Sequence, residues 1–370
     1  MTVQERDVLA VMSKVMDPEL HIDLVTAGMV KDLKINGGHI SLKIELTTPA
    51  CPLKGQIEKD VDAALKAVPG MTGMTIEWGA KVRAAPQGTA KDALLPGVKN
   101  VVLVGAGKGG VGKSTVAVNL ACALARHGSK VGLLDADFYG PSIPLMTGIR
   151  RKPVSKDGKS LDPLEAHGIK VMSIGFMIEP DQALVWRGPM LHGALMQLVR
   201  DVNWGELDYL VLDLPPGTGD VALTISQQVR AAGAVLVTTP QDVALADVVR
   251  AKQMFDKVHI PILGIIENMS QFLCPHCGKG THIFSSGGGK KASEMMDIAF
   301  LGELPLELSV RQGGDDGLPV VVGRPDTDEA KRFMEIASKI AGRISQENMR
   351  ARQPIVNNPG LAGGATHAAR

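Results

Sequence analysis

Cysteine is scarce in this chain: four residues in 370, at positions 51, 122, 274 and 277. That is too few to staple a chain of this length, so a disulfide framework is excluded and folding must rest on a packed core. Net charge is almost absent as well. Forty Lys and Arg against 39 Asp and Glu leave +1, with a sequence pI near 7.7, which gives no support to a broad nucleic-acid surface. There is no uncharged apolar run of about 18 residues, and the opening MTVQERDVLA is not a basic-then-apolar leader. The expectation is a cytoplasmic protein with neither membrane nor nucleic acid among its partners; proteins and small anions fit better.

A hydrophobic content of 45% is ample for a core, and the length suggests about two domains. Residues 1–84 read as a small α+β domain: a helix from Gln4 to Val15, strands at Met29–Ile35 and His39–Leu46, a helix at Leu53–Ala67 and a strand at Met74–Trp78. Residues 85–97 (APQGTAKDALLPG) have turn-forming composition and little periodicity, the pattern of a flexible linker. From 98 to 345 strands and helices alternate, predicting a mostly parallel sheet with helices on both faces. The strands expected there are Val98–Val104, Lys130–Leu134, Ile169–Ile174, Tyr209–Leu212, Ala234–Thr238, Ile262–Glu267 and Ala299–Leu304. A helix from Asp328 to Gln346 closes the domain, and residues 346–370 read as a disordered tail.

Residues Gly107 to Ser114, GKGGVGKS, fit the phosphate-loop pattern G-x-x-x-x-G-K-[ST] between an apolar strand and a helix, with Thr115 continuing into that helix. Gly107, Gly109, Gly110 and Gly112, with Val111 among them, let several N–H groups point into one hollow at the positive end of the helix. Lys113 would reach the β- and γ-phosphates of ATP, and the Ser114 hydroxyl would hold Mg²⁺. Two aspartate motifs follow strands and converge on the same crevice. Asp135–Gly140 reads DADFYG and Asp213–Asp220 reads DLPPGTGD. Asp213 is the candidate outer-shell carboxylate for Mg²⁺, Asp137 the candidate to orient the attacking water, and Gly217 would let a backbone N–H approach the γ-phosphate. Taken singly, each aspartate could instead cap the next helix.

The second lysine of the loop, Lys108, together with DADFYGPS (135–142) and DLPPGTGD (213–220), resembles the deviant phosphate-loop ATPases that include MinD, ParA and the nitrogenase iron protein. Within that group VWRGPM (185–190), ENMS (267–270) and CPHCG (274–278) are most similar to the Mrp/ApbC family of ATP-dependent iron–sulfur cluster carriers. The resemblance covers about residues 98–345. It implies a P-loop NTPase fold, a slow, regulatory ATP hydrolase, and a homodimer in which Lys108 reaches the partner's nucleotide. It also implies that Asn268 contacts the adenine; read alone, Asn268 is a turn residue. Apo iron–sulfur proteins and cluster scaffold proteins are the partners so implied.

The Cys274–Cys277 pair reads three ways on its own: an iron–sulfur cluster, a zinc knuckle or a redox dithiol. A cluster or zinc centre commonly takes four sulfurs and one chain supplies two, so a twofold dimer is the simplest completion. The family resemblance favours a 4Fe–4S cluster bridging two chains. The competing class is a MinD/ParA-like spatial-organising ATPase with a structural zinc at the CxxC, but no terminal amphipathic helix is read here. An electron-transfer ATPase like the nitrogenase iron protein has widely separated cluster cysteines instead. His276 and His282 read as loop neighbours of the pair, Cys122 as a core residue, and Ser285–Lys290 as a flexible connection.

In the first domain, Asp17-Pro18-Glu19, Ala27–Val30 and Thr47–Pro52 resemble the small domain of iron–sulfur maturation proteins such as SufT. Cys51 lies at a predicted helix start, where the helix dipole would favour its thiolate; simple packing is the alternative.

Overall fold

A computed structural model describes residues 2–84, 94–138, 140–155, 158–177, 188–217 and 220–352. The N-terminal unit runs α1 (Glu5–Met12), a short ladder of β1 (Met16–Asp17) and β2 (Ile22–Asp23), then β3 (Val30–Asn36), β4 (His39–Leu46), α2 (Lys54–Lys66) and β5 (Gly73–Ala80). Strand β4 is the middle of the sheet β3–β4–β5, antiparallel to β3 and parallel to β5. Its alternate residues Ile40, Leu42, Ile44 and Leu46 are buried, because successive strand side chains face opposite ways. They share a core with Ile57, Val61 and Leu65 of α2, spaced one helical turn apart, and with Val8 and Met12 of α1.

The second unit holds β6 (Val98–Gly105), α3 (Lys113–Arg126), β7 (Val131–Asp135), α4 (Ile143–Thr147), β8 (Leu164–Ala166), β9 (Ile169–Ser173), α5 (Gly188–Arg200), β10 (Leu207–Asp213), α6 (Asp220–Gln228) and β11 (Ala231–Thr238). It continues with α7 (Asp242–Lys257), β12 (Ile262–Leu273), β13 (Gly280–Thr281), α8 (Gly288–Met295), β14 (Phe300–Leu306), α9 (Leu308–Asp315), α10 (Val320–Gly323) and α11 (Asp328–Arg350). The strands form one sheet in the order β13-β12-β11-β6-β10-β7-β9-β8, with β14 also paired to β12. Among the described strands of this sheet only β8 and β13 are antiparallel to their neighbours. Every residue of β7 is buried, and β6 and β10 are nearly so, as befits strands covered by helices on both faces. The neighbours of β6 are β10 and β11, on opposite sides, so the crevice at the sheet's switch point opens beyond its carboxyl end. The phosphate loop lies there.

The parallel sheet is as the pattern predicts, with two kinds of departure. Strands β8 and β13 are too short to show periodicity, and Ile262–Glu267 extends to Leu273, because β12 continues past the sheet to pair with β13. The last helix runs to Arg350 rather than Gln346. Its extra turn is fixed by Asn348, which is buried and donates to Asn100 Oδ1 at 2.8 Å and to the Arg83 carbonyl at 2.9 Å. Residues 85–93 of the expected linker, Val185–Arg187, Thr218, Gly219 and the tail beyond Arg352 lie outside the described residues.

The two units touch through buried and half-buried polar contacts. Tyr209 of β10 and Thr48 share a hydrogen bond of 3.3 Å, and Asn100 of β6 donates from Nδ2 to the Arg83 carbonyl at 3.1 Å. Gln346 of α11 donates to the Glu19 carbonyl at 2.8 Å, and Glu19's carboxyl fills the notch left by Gly342, where an added Cβ would lie 2.2 Å from Oε1.

Candidate nucleotide site and cysteine hairpin

Gly112 caps α3 at φ 80° and Gly110 sits at φ 78°, both in the left-handed region where a side chain is costly. Gly112 is also hemmed in: an added Cβ would meet Asn268 Nδ2 at 2.3 Å. At Gly107 it would meet the Asp247 backbone of α7 at 2.3 Å. Gly109 and Gly110 face solvent, Val111 is buried, and Ser114 and Thr115 are half-buried at the start of α3.

Lys113 is the first residue of α3 and only 7% exposed. Its Nζ donates to Asp213 Oδ1 at 2.6 Å and lies 3.4 Å from Ser114 Oγ and 3.8 Å from Asp137 Oδ2. Strand register places Asp213, the last residue of β10, directly beside Asp135, the last of β7. Ser173 of β9 donates to Asp135 Oδ2 at 2.8 Å, and the Asp137 amide donates to Asp135 Oδ1 at 3.1 Å. Burial, reinforced by the nearby Asp213 charge, pushes the Asp135 carboxyl up to about 8. Burial also raises Asp213, against the pull of Lys113. Asp213 Oδ2 is fully buried with no hydrogen-bond partner among the described residues. A carboxylate oxygen left over beside the Ser114 hydroxyl supplies oxygen donors that suit a divalent cation with phosphate oxygens, so these residues fit Mg²⁺.

Lys108 is half-buried and donates to Gln241 Oε1 at 3.0 Å, at the start of α7. Asn268 does not sit in a turn. It belongs to β12 and donates from Nδ2 to the Val111 carbonyl at 2.8 Å, which ties the strand to the phosphate loop. Gly217 adopts φ 86°, and its own N–H donates to the Ala106 carbonyl at 3.0 Å. Any phosphate contact by that amide would compete with this bond. Nothing in the sequence marks Asp135 and Ser173 as a buried pair beyond the doubled aspartate of DADFYG at a strand end.

The cysteines occupy the tip of a hairpin built on β12 and β13. Phe272 and Leu273 pair with Thr281 and Gly280, and the turn closes through the Gly278 amide on the Cys274 carbonyl at 2.8 Å and the Cys274 amide on the Lys279 carbonyl at 3.1 Å. Gly278 takes φ 69° there. Cys274 is half-buried and Cys277 exposed. The His276 and Cys277 amides, together with the Cys277 thiol, pull the Cys274 thiol below its ordinary range. His282 is anchored by its Nδ1 on the Ser270 carbonyl at 3.0 Å. Among the described residues no group of three or more His, Cys, Asp or Glu is arranged to hold a metal ion.

One of two alternatives and one expectation do not hold. Cys51 is not a favoured thiolate: burial, with Glu19 and Asp17 nearby, pushes its thiol up to about 11. The helix dipole loses to desolvation because α2 begins only at Lys54. Ser285–Lys290 is not a plain connection either, since α8 begins inside it at Gly288 and its first amides bind the Glu267 carboxyl. Cys122 is fully buried in α3.

A sequence family described as a NUBPL iron-transfer P-loop NTPase matches residues 97–341. The chain belongs to this family. Residues 5–78 match a second family, described as an iron–sulfur cluster assembly protein. Among known proteins the chain is similar to an iron–sulfur cluster carrier protein of Deinococcus radiodurans, 52% identical over 91% of this chain and 95% of that one. It is also similar to the iron–sulfur cluster transfer protein NUBPL of Mus musculus, 50% identical over 70% of this chain and 82% of that one. A nucleotide-binding protein of Archaeoglobus fulgidus, solved in complex with ADP, is 39% identical with a TM-score of 0.57, covering 67% of this chain and 98% of its own. The cell-division ATPase MinD of Pyrococcus furiosus, at 22% identity and TM-score 0.50 over 65% of this chain and 98% of its own, shares the fold. No described helix is long and apolar enough to cross a membrane.

Proposed function

We propose that this chain is a cytoplasmic, ATP-dependent carrier that takes up 4Fe–4S clusters and hands them to apo iron–sulfur proteins, working as a homodimer. The observation that carries the reading is the cysteine hairpin: two thiols, one of them with a lowered pKa, stand at an exposed tip on the strand that also grips the phosphate loop. Exposed cysteines can receive and release cargo; a buried structural site would not. Two chains meeting at this tip would supply the four sulfurs a cluster takes. Its relatives' names and the N-terminal assembly-family match point the same way.

At the other end, the loop Gly107–Thr115 would cradle the phosphates of ATP, with Lys113 leaving Asp213 to reach them. Ser114 and Asp213 would hold Mg²⁺, which supplies charge neutralisation for phosphoryl transfer. Asp137, already within 3.8 Å of Lys113, would orient the attacking water. Lys108 would exchange Gln241 for the partner's nucleotide, Asn268 would meet the adenine, and Gly217 would sense the γ-phosphate. Hydrolysis on this scheme is slow and regulatory. We read residues 1–84 as a domain of its own, 85–97 as its linker, 98–345 as the ATPase and carrier, and 346–370 as a tail whose first turn is helical.

The test is anaerobic reconstitution followed by iron and sulfide analysis and transfer to an apo iron–sulfur enzyme. About four irons per dimer and nucleotide-dependent transfer are expected. Stoichiometric zinc in protein purified without oxygen, with no transfer, would replace this reading by the zinc-bearing organising ATPase.

A further inference from the structure

The hairpin that bears the cysteines is closed at its base by Glu267. This residue lies at the end of the buried part of β12 and is only 1% exposed. Its two carboxyl oxygens accept the amides of Gly287 at 3.3 Å and of Gly289 at 2.5 Å, at the start of α8. The segment between these points, 268–286, is therefore a loop whose exit is fastened to the residue preceding its entry. Gly289 is required for this closure, since an added Cβ would stand 2.9 Å from Glu267 Cβ.

The next two residues touch the phosphate loop. Asn268 holds the Val111 carbonyl, and the site of an added Cβ on Gly112 lies 2.3 Å from Asn268 Nδ2 and 3.7 Å from Met269 Cε. Met269 itself adopts φ 57°, a left-handed conformation unusual for a long side chain. The register of β12 against β14 slips between Asn268 and Phe272. Four residues beyond this kink β12 ends at Leu273, and Cys274 follows. The clasp and the kink thus lie on β12, which meets the phosphate loop at Asn268 and leads directly into the cysteine tip.

We propose that Glu267 and Met269 are positioning residues that couple nucleotide occupancy to the cysteine pair. Glu267 fastens the hairpin so that a shift of the phosphate loop at Gly112 moves its tip, and the strained Met269 is the joint at which the shift enters. Without the clasp the loop entrance can move while Cys274 and Cys277 stay where solvent leaves them. The inference deepens the carrier reading and rests on it for its biological meaning, although the coupling is measurable with no cluster present.

The experiment uses the full chain in its apo form, with and without a non-hydrolysable ATP analogue and Mg²⁺. The alkylation rates of Cys274 and Cys277 are read peptide by peptide, and analogue affinity is measured on the same samples. In the wild type the analogue should change the Cys274 rate about fivefold or more, within the span of ordinary allosteric coupling. Glu267→Ala should bring that ratio close to one while the analogue still binds, and Glu267→Gln, which keeps a carbonyl acceptor, should restore part of it. Met269→Gly should also lower the ratio. Glycine accepts the local φ without strain, so this variant stays informative if Glu267→Ala fails to fold. An analogue that binds the wild type without altering either rate, or folded variants of both positions with the wild-type ratio, would overturn the coupling. Iron and sulfide content after reconstitution of the same wild-type preparation reports separately on the carrier reading. A coupled protein that holds no cluster would sink the carrier function alone, and an uncoupled one with a full cluster would sink only the strand route.

Discussion

The phosphate site and the cysteine tip, joined through β12, solve opposite problems. At the phosphate site the functional side chains are buried or half-buried and already paired: Lys113 on Asp213, Asp135 on Ser173, Asn268 on the loop backbone. At the cysteine end one thiol is exposed, its partner is half-buried, and no described neighbour adds a third ligand. A site that performs chemistry on a bound phosphate gains from groups held before the substrate arrives. A site that must give its cargo away gains from being half a site, completed and dissolved by association. Preorganisation and incompleteness are each matched to a task within one fold.

The sharpest way to break this contrast is to remove one cysteine. In a symmetric dimer, Cys274→Ala or Cys277→Ala deletes two of four sulfurs at once, so cluster content should drop from about four irons per dimer to none, not to half. ATP binding should persist, because neither thiol contacts the phosphate loop. Iron analysis and analogue titration on the same reconstituted variant check both halves. A variant retaining wild-type iron would show that the chain completes its own site.

At the phosphate end the contrast predicts a cost in stability as well as rate. Lys113→Ala should lower ATP turnover by a factor of about 10² or more. It also strands Asp213 in the core, where breaking a buried ion pair costs about 3 kcal/mol, less whatever protonation of Asp213 recovers. Lys113→Ala combined with Asp213→Asn should recover the stability and none of the turnover. Urea denaturation alongside steady-state ATPase assays separates the two effects; a single variant as stable as the wild type would mean that Asp213 is already neutral.

The phosphate end was legible in the sequence because its chemistry is local. Gly107–Ser114 is a contiguous motif whose backbone demands show in the residue types, and two aspartates at the ends of apolar strands have few other reasons to recur. The parallel sheet followed from strand and helix alternation. What could not be read depends on contacts between distant segments. Glu267 looks like any acid at a strand end until Gly287 and Gly289 are folded against it, 20 and 22 residues later. Cys51 is a second case: its neighbours along the chain suggest a helix start and leave reactive thiol and packing residue both open, whereas burial, the largest influence, raises its pKa. Asn348 extends the last helix through partners at 83 and 100, beyond any local window.

Cys51 sharpens the contrast between open and closed thiols. Its pKa near 11, against an ordinary 9.0, leaves about a hundredfold less thiolate at neutral pH, while Cys274 moves the opposite way. At pH 7.5 an alkylating reagent should therefore modify Cys274 at least about a hundred times faster than Cys51, and the gap should close when the chain is unfolded in denaturant. Equal rates in the folded protein would restore the reactive-thiol reading of Cys51.

The smallest effect concerns the acid that faces Cys51. Glu19 lies against the notch at Gly342, and burial, followed by the Asp17 charge, pushes its carboxyl up to about 7 from 4.5. A raised acid pKa means that the folded chain binds this proton more tightly than the unfolded chain. Stability should then be highest below pH 4.5 as far as this group is concerned, fall as pH rises from 4.5 to 7, and level off above that. Because Glu19 keeps some contact with solvent, the loss is about 1–2 kcal/mol rather than the full value of the shift. Glu19→Gln removes the charge and keeps the shape. It should make the protein more stable than the wild type at pH 8, about equal to it at pH 5, and leave cluster content and ATPase unchanged. Denaturation curves for the pair between pH 5 and 8 decide the matter, since parallel pH profiles would mean that Glu19 is solvated and that the N-terminal unit does not seal it against α11.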